Sequence, residues 1–383
     1  MVNAKENFIK TQNLVTFSKL VWKILLFDYQ YEERIIFRYK LSKLIKILRP
    51  IFFIIIVVDL ILYISSIANY IFELIMTHIF DMEKFTGAFT LISTVSMLVV
   101  KYSYIYFNKN AVQRILDFFP KEYNKSELKA HKVDKFLMNF QKFVTFHRFF
   151  HLQMPILFVI TLLVMETINA GHRVYPFAIK FPFDALGNYV YPFLLFWVLF
   201  SHALYMITFT FVENLTFGLT TIIATELKIL AENYRRIKDQ PENIINCIKR
   251  QNELYDIVEK VQRIFGISFF TNFLLSSITI CLAAFTCSIS PDITVLIFNG
   301  VMSLGFQMIQ IFIQCFFGQV LYDASSSLID SIYDCGWENM KDEKLKKLIM
   351  IIIIRSQKPA VFSLLGIWKI TLEQFQSVSL KFQ

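Results

Sequence analysis

The stretch GQVLYDASSSLIDSIYDCGWENM, residues 318–340, follows six long apolar segments and breaks their pattern. It is polar enough to lie in water, yet apolar residues recur in it at the spacing of one helix face. The segment LIMIIII, residues 348–354, follows it and is strongly apolar but short. Since a membrane-spanning helix needs about 20 apolar residues, we expect residues 321–358 to form a helical region beside the membrane.

The composition of the chain is typical of a membrane protein. Of its 383 residues, 55% are hydrophobic and only 18% are charged, whereas soluble domains average about 25% charged residues. Seven apolar segments are long enough to cross a bilayer. They lie at about 47–72, 86–107, 143–168, 190–222, 264–290, 293–318 and 359–382. The predicted fold is therefore an all-α membrane protein with seven transmembrane helices.

The positions of lysine and arginine predict the orientation of these helices. The connections on one side of the predicted bundle, counted with the N-terminal arm, hold 32 of these residues. The connections on the other side hold only Lys84, Arg173 and Lys180. Because lysine and arginine accumulate on the cytoplasmic side, the N-terminus is predicted to be cytoplasmic and the C-terminus extracellular. The net charge of +9 follows from the inner connections, so we expect no nucleic-acid partner.

The domain organisation follows from the predicted spans. Residues 1–46 form a cytoplasmic arm, in which 14–27 could lie as an amphipathic helix on the membrane surface or could pack on the bundle. No cleavable signal is expected, because the first apolar run begins only near residue 47. Residues 47–320 form a six-helix bundle with inner extensions, 321–358 form the cytosolic helical region, and 359–383 form the seventh helix.

No motif in the sequence indicates an enzyme, a cofactor or a structural disulfide. His147 and His151 have a spacing that could bind a metal ion, but no carboxylate lies at a neighbouring helical position, and we favour anchoring at the membrane interface. Asp59, Lys101 and Glu213 fall within predicted spans and are expected to face the bundle interior. For these three residues we favour a structural hydrogen-bonding role over a place on an ion path.

The outer half of the bundle is rich in aromatic residues. The connection 169–192 is long, aromatic and proline-containing, and can fold back over the helices as a lid. With neighbouring spans, the aromatic face that follows could line a cavity for a small neutral ligand, although ordinary packing or lipid contact is the alternative. The candidate ligand-binding residues are Phe85, Phe89, Ile92, Ile160, Val164, Thr167, Tyr189, Phe193, Phe196, Trp197, Phe200, Cys281, Phe285 and Ser288.

The C-terminal part of the chain resembles a known family. A serine-rich helix, the pair Tyr333 and Trp337, a Leu/Lys-rich helix and the run Arg355-Ser-Gln-Lys-Pro359 are together similar to the C-terminal signature of insect odorant receptors. The predicted spans and the outer segment YPFAIKFPFD agree with this resemblance, which covers essentially the whole chain. It implies a subunit of a tetrameric, ligand-gated, non-selective cation channel in the plasma membrane of sensory-neuron dendrites, gated by small volatile molecules.

The resemblance also implies roles for the inner and last helices. Residues Lys341–Ile354 would form a cytosolic anchor helix between subunits, and Pro359 would open the pore-lining span. The implied anchor residues are Tyr322, Ser325, Tyr333, Trp337, Arg355 and Pro359. In this family the pore constriction lies in a stretch that usually continues past the position of Phe382. Only pore positions before that stretch can therefore be named, and helical spacing places them toward the upper pore. They are Leu372, Phe375, Ser379 and Phe382.

The length of one connection bears on the type of subunit. The family's shared co-receptor carries a long insertion between its fourth and fifth spans, whereas residues 226–263 are short and helical in pattern. The resemblance therefore implies an odour-tuning subunit that assembles with the co-receptor in a membrane of lipid. Three alternatives remain. The chain could be a gustatory-type receptor channel, a G-protein-coupled receptor with an external N-terminus, or a transporter with a charged midplane site.

Overall fold

The computed structural model describes residues 8–10, 36–76, 81–119, 122–124, 175, 177–187, 189–238, 240–289 and 302–380, with scattered residues between 135 and 149. Within 8–10, 36–49, 122–124 and 378–380, and at 52 and 302, only the backbone is described. The helices are α1 (Ile36–Met76), α2 (Met82–Phe107), α3 (Lys109–Phe118), α4 (Val190–Arg235), α5 (Ile244–Ile289), α6 (Met302–Tyr333), α7 (Glu343–Ser356) and α8 (Leu372–Leu380). The strands are β1 (Phe8–Lys10), β2 (Glu122–Asn124), β3 (Ser363–Leu364) and β4 (Trp368–Lys369).

Five helical segments in the described part of the chain are long and apolar enough to cross a membrane. They are Phe53–Met76, Met82–Phe107, Val190–Lys238, Pro241–Ile289 and Ser303–Asn339. These correspond to the first, second, fourth, fifth and sixth predicted spans, and the all-α membrane fold is confirmed. Most of the predicted third span, 143–168, lies outside the described residues. The orientation of the termini stays a prediction, and "inner" and "outer" below refer to its cytoplasmic and extracellular sides.

Helix α4 runs through the middle of the bundle. Every residue from Thr208 to Leu227 is buried, which is typical of a helix surrounded by protein on all sides. This stretch is rich in threonine, and several of these hydroxyls donate to the carbonyl one turn earlier. Thr216, for example, donates to the Val212 carbonyl at 2.9 Å. The hydroxyls that donate in this way are satisfied within the helix itself, so they can be buried without partners from other helices.

The inner connection between α4 and α5 is short and helical, as the sequence indicated. Each helix has 46 residues and is about 69 Å long, more than twice the thickness of a hydrocarbon core of about 30 Å. Two 3-10 turns, Arg236–Lys238 and Pro241–Asn243, reverse the chain between them. The Tyr234 hydroxyl donates to Gln251 Oε1 at 2.7 Å, which joins the two extensions inside the turn.

The structure differs from the prediction at the start of the seventh helix. Strands β3 and β4 pair as an antiparallel hairpin, with Leu364 opposite Trp368. Leu365 and Gly366 have φ angles of 52° and 78°, which a continuing helix does not allow. Helix α8 therefore begins at Leu372 rather than near Pro359. The apolar run that suggested a span instead packs Phe362, Leu364 and Ile370 into the inner core.

Candidate functional site

The aromatic stripe predicted on the fourth span faces away from the bundle. Tyr189 is 93% exposed and Phe193 is 72% exposed, and Phe196 and Phe200 are also exposed. The rings of Phe196 and Phe200 stack on each other with centroids 6.3 Å apart. Trp197, the residue after Phe196, is rotated by about 100° around the helix axis and faces the bundle interior. The other four residues therefore share one helix face, which lies on the outer surface of the chain, and the prediction that Trp197 belongs to the same face is wrong.

The candidates on α2 lie partly inside the bundle. Phe85 and Phe89 are half-buried and their rings stack at 6.0 Å, and Ile92 is half-buried one turn below. The next residue after Phe85 is Thr86, whose hydroxyl forms a hydrogen bond of 2.7 Å with the Thr286 hydroxyl of α5. Helices α2 and α5 are thus held together at the depth of the predicted cavity.

The candidates on α5 face outward, and those on the third span cannot be placed. Cys281, Phe285 and Ser288 are exposed, and the Ser288 hydroxyl donates to the carbonyl of Phe285 at 2.7 Å. The other three candidates, Ile160, Val164 and Thr167, lie outside the described residues. The predicted ligand-binding residues therefore do not form one continuous lining within the described part of the chain.

The inward side of α4 meets a carboxyl group in the membrane-spanning part of α1. The indole Nε1 of Trp197 donates to Asp59 Oδ1 at 3.0 Å, and the Ser201 hydroxyl donates to the same oxygen at 2.9 Å. Asp59 Oδ2 is buried and accepts no hydrogen bond from the described residues. Tyr63, one turn further along α1, is fully buried, and its hydroxyl also lacks a hydrogen-bond partner there.

This polar cluster was only partly visible in the sequence. Trp197 was a candidate because of its position on the aromatic helix, and Asp59 was expected to face the bundle interior. The sequence could not show that the two residues meet, because they are 138 positions apart. An ionisable residue in a span is the signal that pointed to this region.

The described part of the outer loop packs down between α1 and α4. The backbone N–H of Lys180 donates to the Ser66 carbonyl at 3.0 Å, and its ammonium group pairs with Glu73. Phe177 stacks on His202 with ring centroids 4.4 Å apart. His202 lies twelve residues into α4, about 18 Å below its start, so the loop reaches deep into the bundle. The loop folds back over the helices, as its composition suggested.

Tyr175 fixes the shape of this loop. Its hydroxyl donates to the Ala185 carbonyl at 2.7 Å, and its ring lies 5.4 Å from that of Tyr191. Burial, followed by the negative charge that Tyr191 and Asp184 can carry, raises the pKa of Tyr175 to about 12. The phenol therefore stays a neutral hydrogen-bond donor throughout the physiological range.

Lys101 and Glu213 form a buried ion pair between α2 and α4. Only 5% of the lysine side chain and 7% of the glutamate side chain are exposed. Both residues were expected to face the interior, and pairing with each other explains how two charges are tolerated inside a membrane bundle.

The implied anchor residues gather where α5, α6 and the segment after α7 meet. Ser325 Oγ accepts a hydrogen bond from the Ala360 backbone N–H at 2.7 Å, and lies 3.5 Å from the Tyr255 hydroxyl. The ammonium group of Lys369 lies over the Tyr322 ring at 5.6 Å. Pro359, the residue before Ala360, is half-buried. Ser325 thus links three elements on the inner side.

The other anchor residues lie at the inner end of α6 and on α7. The rings of Tyr333 and Trp337 pack edge to face at 6.5 Å, and Tyr333 is exposed. Between them Gly336 takes a left-handed conformation with φ 73°, which allows the sharp turn toward α7. Arg355 is exposed. The short apolar segment seen in the sequence lies within α7.

Helix α7 has apolar residues on two opposite faces. Ile349 and Ile352 are buried against the chain. Met350, Ile351 and Ile354 lie on the other side, where Ile351 is 62% exposed and Ile354 is 66% exposed. The position of the helix is fixed by Ser356, whose hydroxyl accepts a hydrogen bond from Gln251 Nε2 at 2.7 Å. A large exposed apolar face therefore lies beside the inner extensions of α4 and α5.

Two of the expected pore positions are described, and both contact α6. Phe375 packs edge to face against Phe312 at 5.4 Å, and the Leu372 backbone N–H donates to Gln319 Oε1 at 3.2 Å. The side chain of Ser379 and all of Phe382 lie outside the described residues. These contacts fix the first turn of α8 but do not test which side faces a pore.

His147 is packed among aromatic rings. It is buried, with its ring 6.1 Å from that of Phe143 and 5.8 Å from that of Phe217. His151, the other half of the possible metal pair, lies outside the described residues. The sequence favours anchoring at the membrane interface for this residue, whereas the structure packs His147 inside the chain among aromatic rings.

Comparison with known proteins places this architecture in a family. The family model described as "7tm Odorant receptor" matches residues 81–380. Odorant receptor 67c of Drosophila melanogaster is 28% identical over 200 residues, 49% of this chain and 48% of that receptor, so the chain spans about half the length of this relative. Odorant receptor 85c of the same fly is 24% identical over 328 residues, 78% of this chain and 82% of that receptor.

Solved structures share the fold. The insect olfactory receptor OR5 from Machilis hrabei, in complex with eugenol, superposes with a TM-score of 0.73 over 97% of this chain and 96% of that one, at 15% identity. A second structure of the same receptor gives a TM-score of 0.70. Since the family model covers most of the chain, this chain belongs to the odorant receptor family of insects.

Proposed function

We propose that this chain is an odour-tuning subunit of a ligand-gated, non-selective cation channel in the plasma membrane. It binds small volatile molecules in the outer half of the bundle and opens a pore together with the co-receptor. The observation that carries this proposal is the second apolar face of α7, formed by Met350, Ile351 and Ile354.

The location of that face argues for a protein partner rather than lipid. Helix α7 contacts the inner extension of α5 through Gln251 and Ser356, well beyond the apolar part of the spans. An exposed apolar face in water is unfavourable and usually marks a site of protein association. The same surface on several subunits around one axis would close a ring about a central pore.

The outer cluster supplies the ligand-sensing part of the proposal. The loop segment from Phe177 to Phe181 contacts Trp197 and Tyr63, and is held to α1 by the hydrogen bond from the Lys180 N–H to Ser66 and by the ion pair of Lys180 with Glu73. A molecule bound there can favour a different arrangement of α1 and α4 only if it binds that arrangement more tightly. Movement of α4 can reach α6, against which it packs, as in the 4.4 Å stack of Phe217 on Phe317. Helix α6 in turn holds the first turn of α8 through Gln319.

The test is odour-evoked current in cells that express the chain with the co-receptor. A panel of volatile molecules should evoke cation current from the pair, and the double variant Ile351→Glu/Ile354→Glu should abolish both the current and co-purification of the two subunits. The matched control is Ile245→Glu, an exposed isoleucine in the first turn of α5, which should leave both intact. Normal assembly of the double variant would contradict the role of α7.

A further inference from the structure

Asp59 is half-buried in the membrane-spanning part of α1, and no cation in the described part of the chain pairs with it. Two other acidic groups of the bundle have cations of their own, since Glu213 pairs with Lys101 and Glu73 with Lys180. Asp59 receives only the neutral donors Trp197 and Ser201, both on Oδ1, and no described lysine, arginine or histidine contacts it. A carboxyl group within a membrane-spanning segment is costly to insert, so such groups usually pair with another polar group. Its second oxygen is available for a partner that the described chain does not supply.

The polar and aromatic groups next to Asp59 in the fold are suited to a cation. The Tyr63 hydroxyl, one helical turn away, is buried and has no hydrogen-bond partner in the described part of the chain. The Tyr63 ring packs edge to face on Trp197 at 6.4 Å and on Phe177 at 6.2 Å. Phe181 of the outer loop packs on Trp197 at 5.8 Å. Aromatic faces attract ammonium groups, most strongly where water is excluded.

We propose that this cluster is the head-group site for a small volatile amine. The ammonium group donates hydrogen bonds to Asp59 Oδ2 and the Tyr63 hydroxyl, and the aromatic rings of Tyr63, Trp197 and Phe177 surround it. The aliphatic tail lies among apolar side chains of the outer bundle. This inference rests on the proposed function and defines its ligand class, where composition alone had suggested a neutral ligand.

Charge decides between an amine and other small ligands at this site. An alcohol can donate one hydrogen bond to Oδ2 but brings no counter-charge, whereas an ammonium group brings three donors and a positive charge. A carboxylate or phosphate would place a second negative charge beside Asp59 and is disfavoured. A hydrogen bond between an ammonium group and a carboxylate is stronger than one between an alcohol and the same carboxylate, so a preference of about tenfold or more for the amine is expected.

The experiment compares n-alkylamines with n-alcohols of the same carbon number, using whole-cell current from the chain co-expressed with the co-receptor. The quantity measured is the ratio of half-maximal concentrations, alcohol over amine. Asp59→Asn keeps an oxygen for Trp197 and Ser201 but removes the charge, and should reduce the ratio at least about tenfold. Tyr63→Phe removes a buried hydroxyl that has no partner among the described residues, so the variant should fold normally, and it should reduce the ratio less than Asp59→Asn does.

The matched control is Asp184→Asn, which removes an exposed carboxylate of the outer loop and should leave the ratio unchanged. Surface labelling shows that each variant reaches the membrane. A wild-type receptor that responds to neutral volatiles with no preference for amines would overturn the amine site and leave the proposed function standing. An unchanged ratio in Asp59→Asn would also overturn it. Absence of current for every ligand, despite surface expression, would overturn both the amine site and the proposed channel function.

Discussion

The contact between α6 and the segment before α8 yields a sharp prediction at Gly318. A methyl group at this position would overlap the backbone carbonyl oxygen of Ile370, and would lie 3.0 Å from the Cγ2 atom of the same residue. The obstacle is backbone, held by the hydrogen bond from Ile370 N–H to the Phe362 carbonyl at 2.8 Å, so it cannot turn aside as a side chain could. We therefore expect Gly318→Ala to lower the free energy of unfolding by about 1–3 kcal/mol, the cost of overpacking a fitted core.

Gly305 in the same helix is the matched control. A methyl group there meets no atom within 4 Å, so Gly305→Ala should gain about 0.5–1 kcal/mol from reduced chain entropy. Thermal unfolding of the detergent-solubilised receptor, followed by fluorescence-detected size-exclusion chromatography, compares the two directly. Equal or greater stability of Gly318→Ala relative to Gly305→Ala would refute the close approach of α6 to Ile370.

Three further predictions concern the bundle and the outer loop. Lys101→Met alone should cost about 3–5 kcal/mol, because it leaves Glu213 buried without its partner, and adding Glu213→Leu should restore most of that loss in the same thermal assay. Trp197→Ala should shift the half-maximal odorant concentrations about tenfold. Phe285 lies on the outer surface, so Phe285→Ala should shift them much less. Dose–response measurements of the odorant-evoked current compare the two variants. Burial raises the pKa of Tyr175 to about 12. The free energy of unfolding that Tyr175 contributes, relative to Tyr175→Phe, should therefore be fully present below the ordinary pKa of 10.0 and lost as the pH rises through about 12. Chemical denaturation of both proteins at several pH values measures this difference.

The spans of the described bundle could be predicted because long apolar segments carry a strong signal. The same length argument correctly separated α7 from the spans, since seven apolar residues cannot cross a bilayer. The start of the last helix could not be predicted in this way. The run from Ala360 to Ile370 is as apolar as a span, and its hairpin depends on distant contacts. Gln262 of α5 accepts from the Ser363 N–H at 3.0 Å and donates to its carbonyl at 2.5 Å.

The inward face of each helix was the least predictable feature. Lipid tails are as apolar as a protein core, so hydrophobicity does not distinguish a lipid-facing phenylalanine from a buried one. Phe196 and Trp197 show this directly, because they are adjacent and equally apolar, yet the first is exposed and the second meets Asp59. Polar residues were the better guide, since Asp59, Lys101 and Glu213 all found polar partners within the bundle.

The central claim is that the chain forms part of a channel opened directly by odorant. The most direct measurement is single-channel recording from outside-out patches of cells expressing the chain with the co-receptor, with guanine nucleotides omitted. The account predicts openings within milliseconds of odorant application, with a ligand profile that changes when Trp197 is replaced. Odour responses in intact cells that disappear in every excised patch would contradict it, because the signal would then require a soluble messenger.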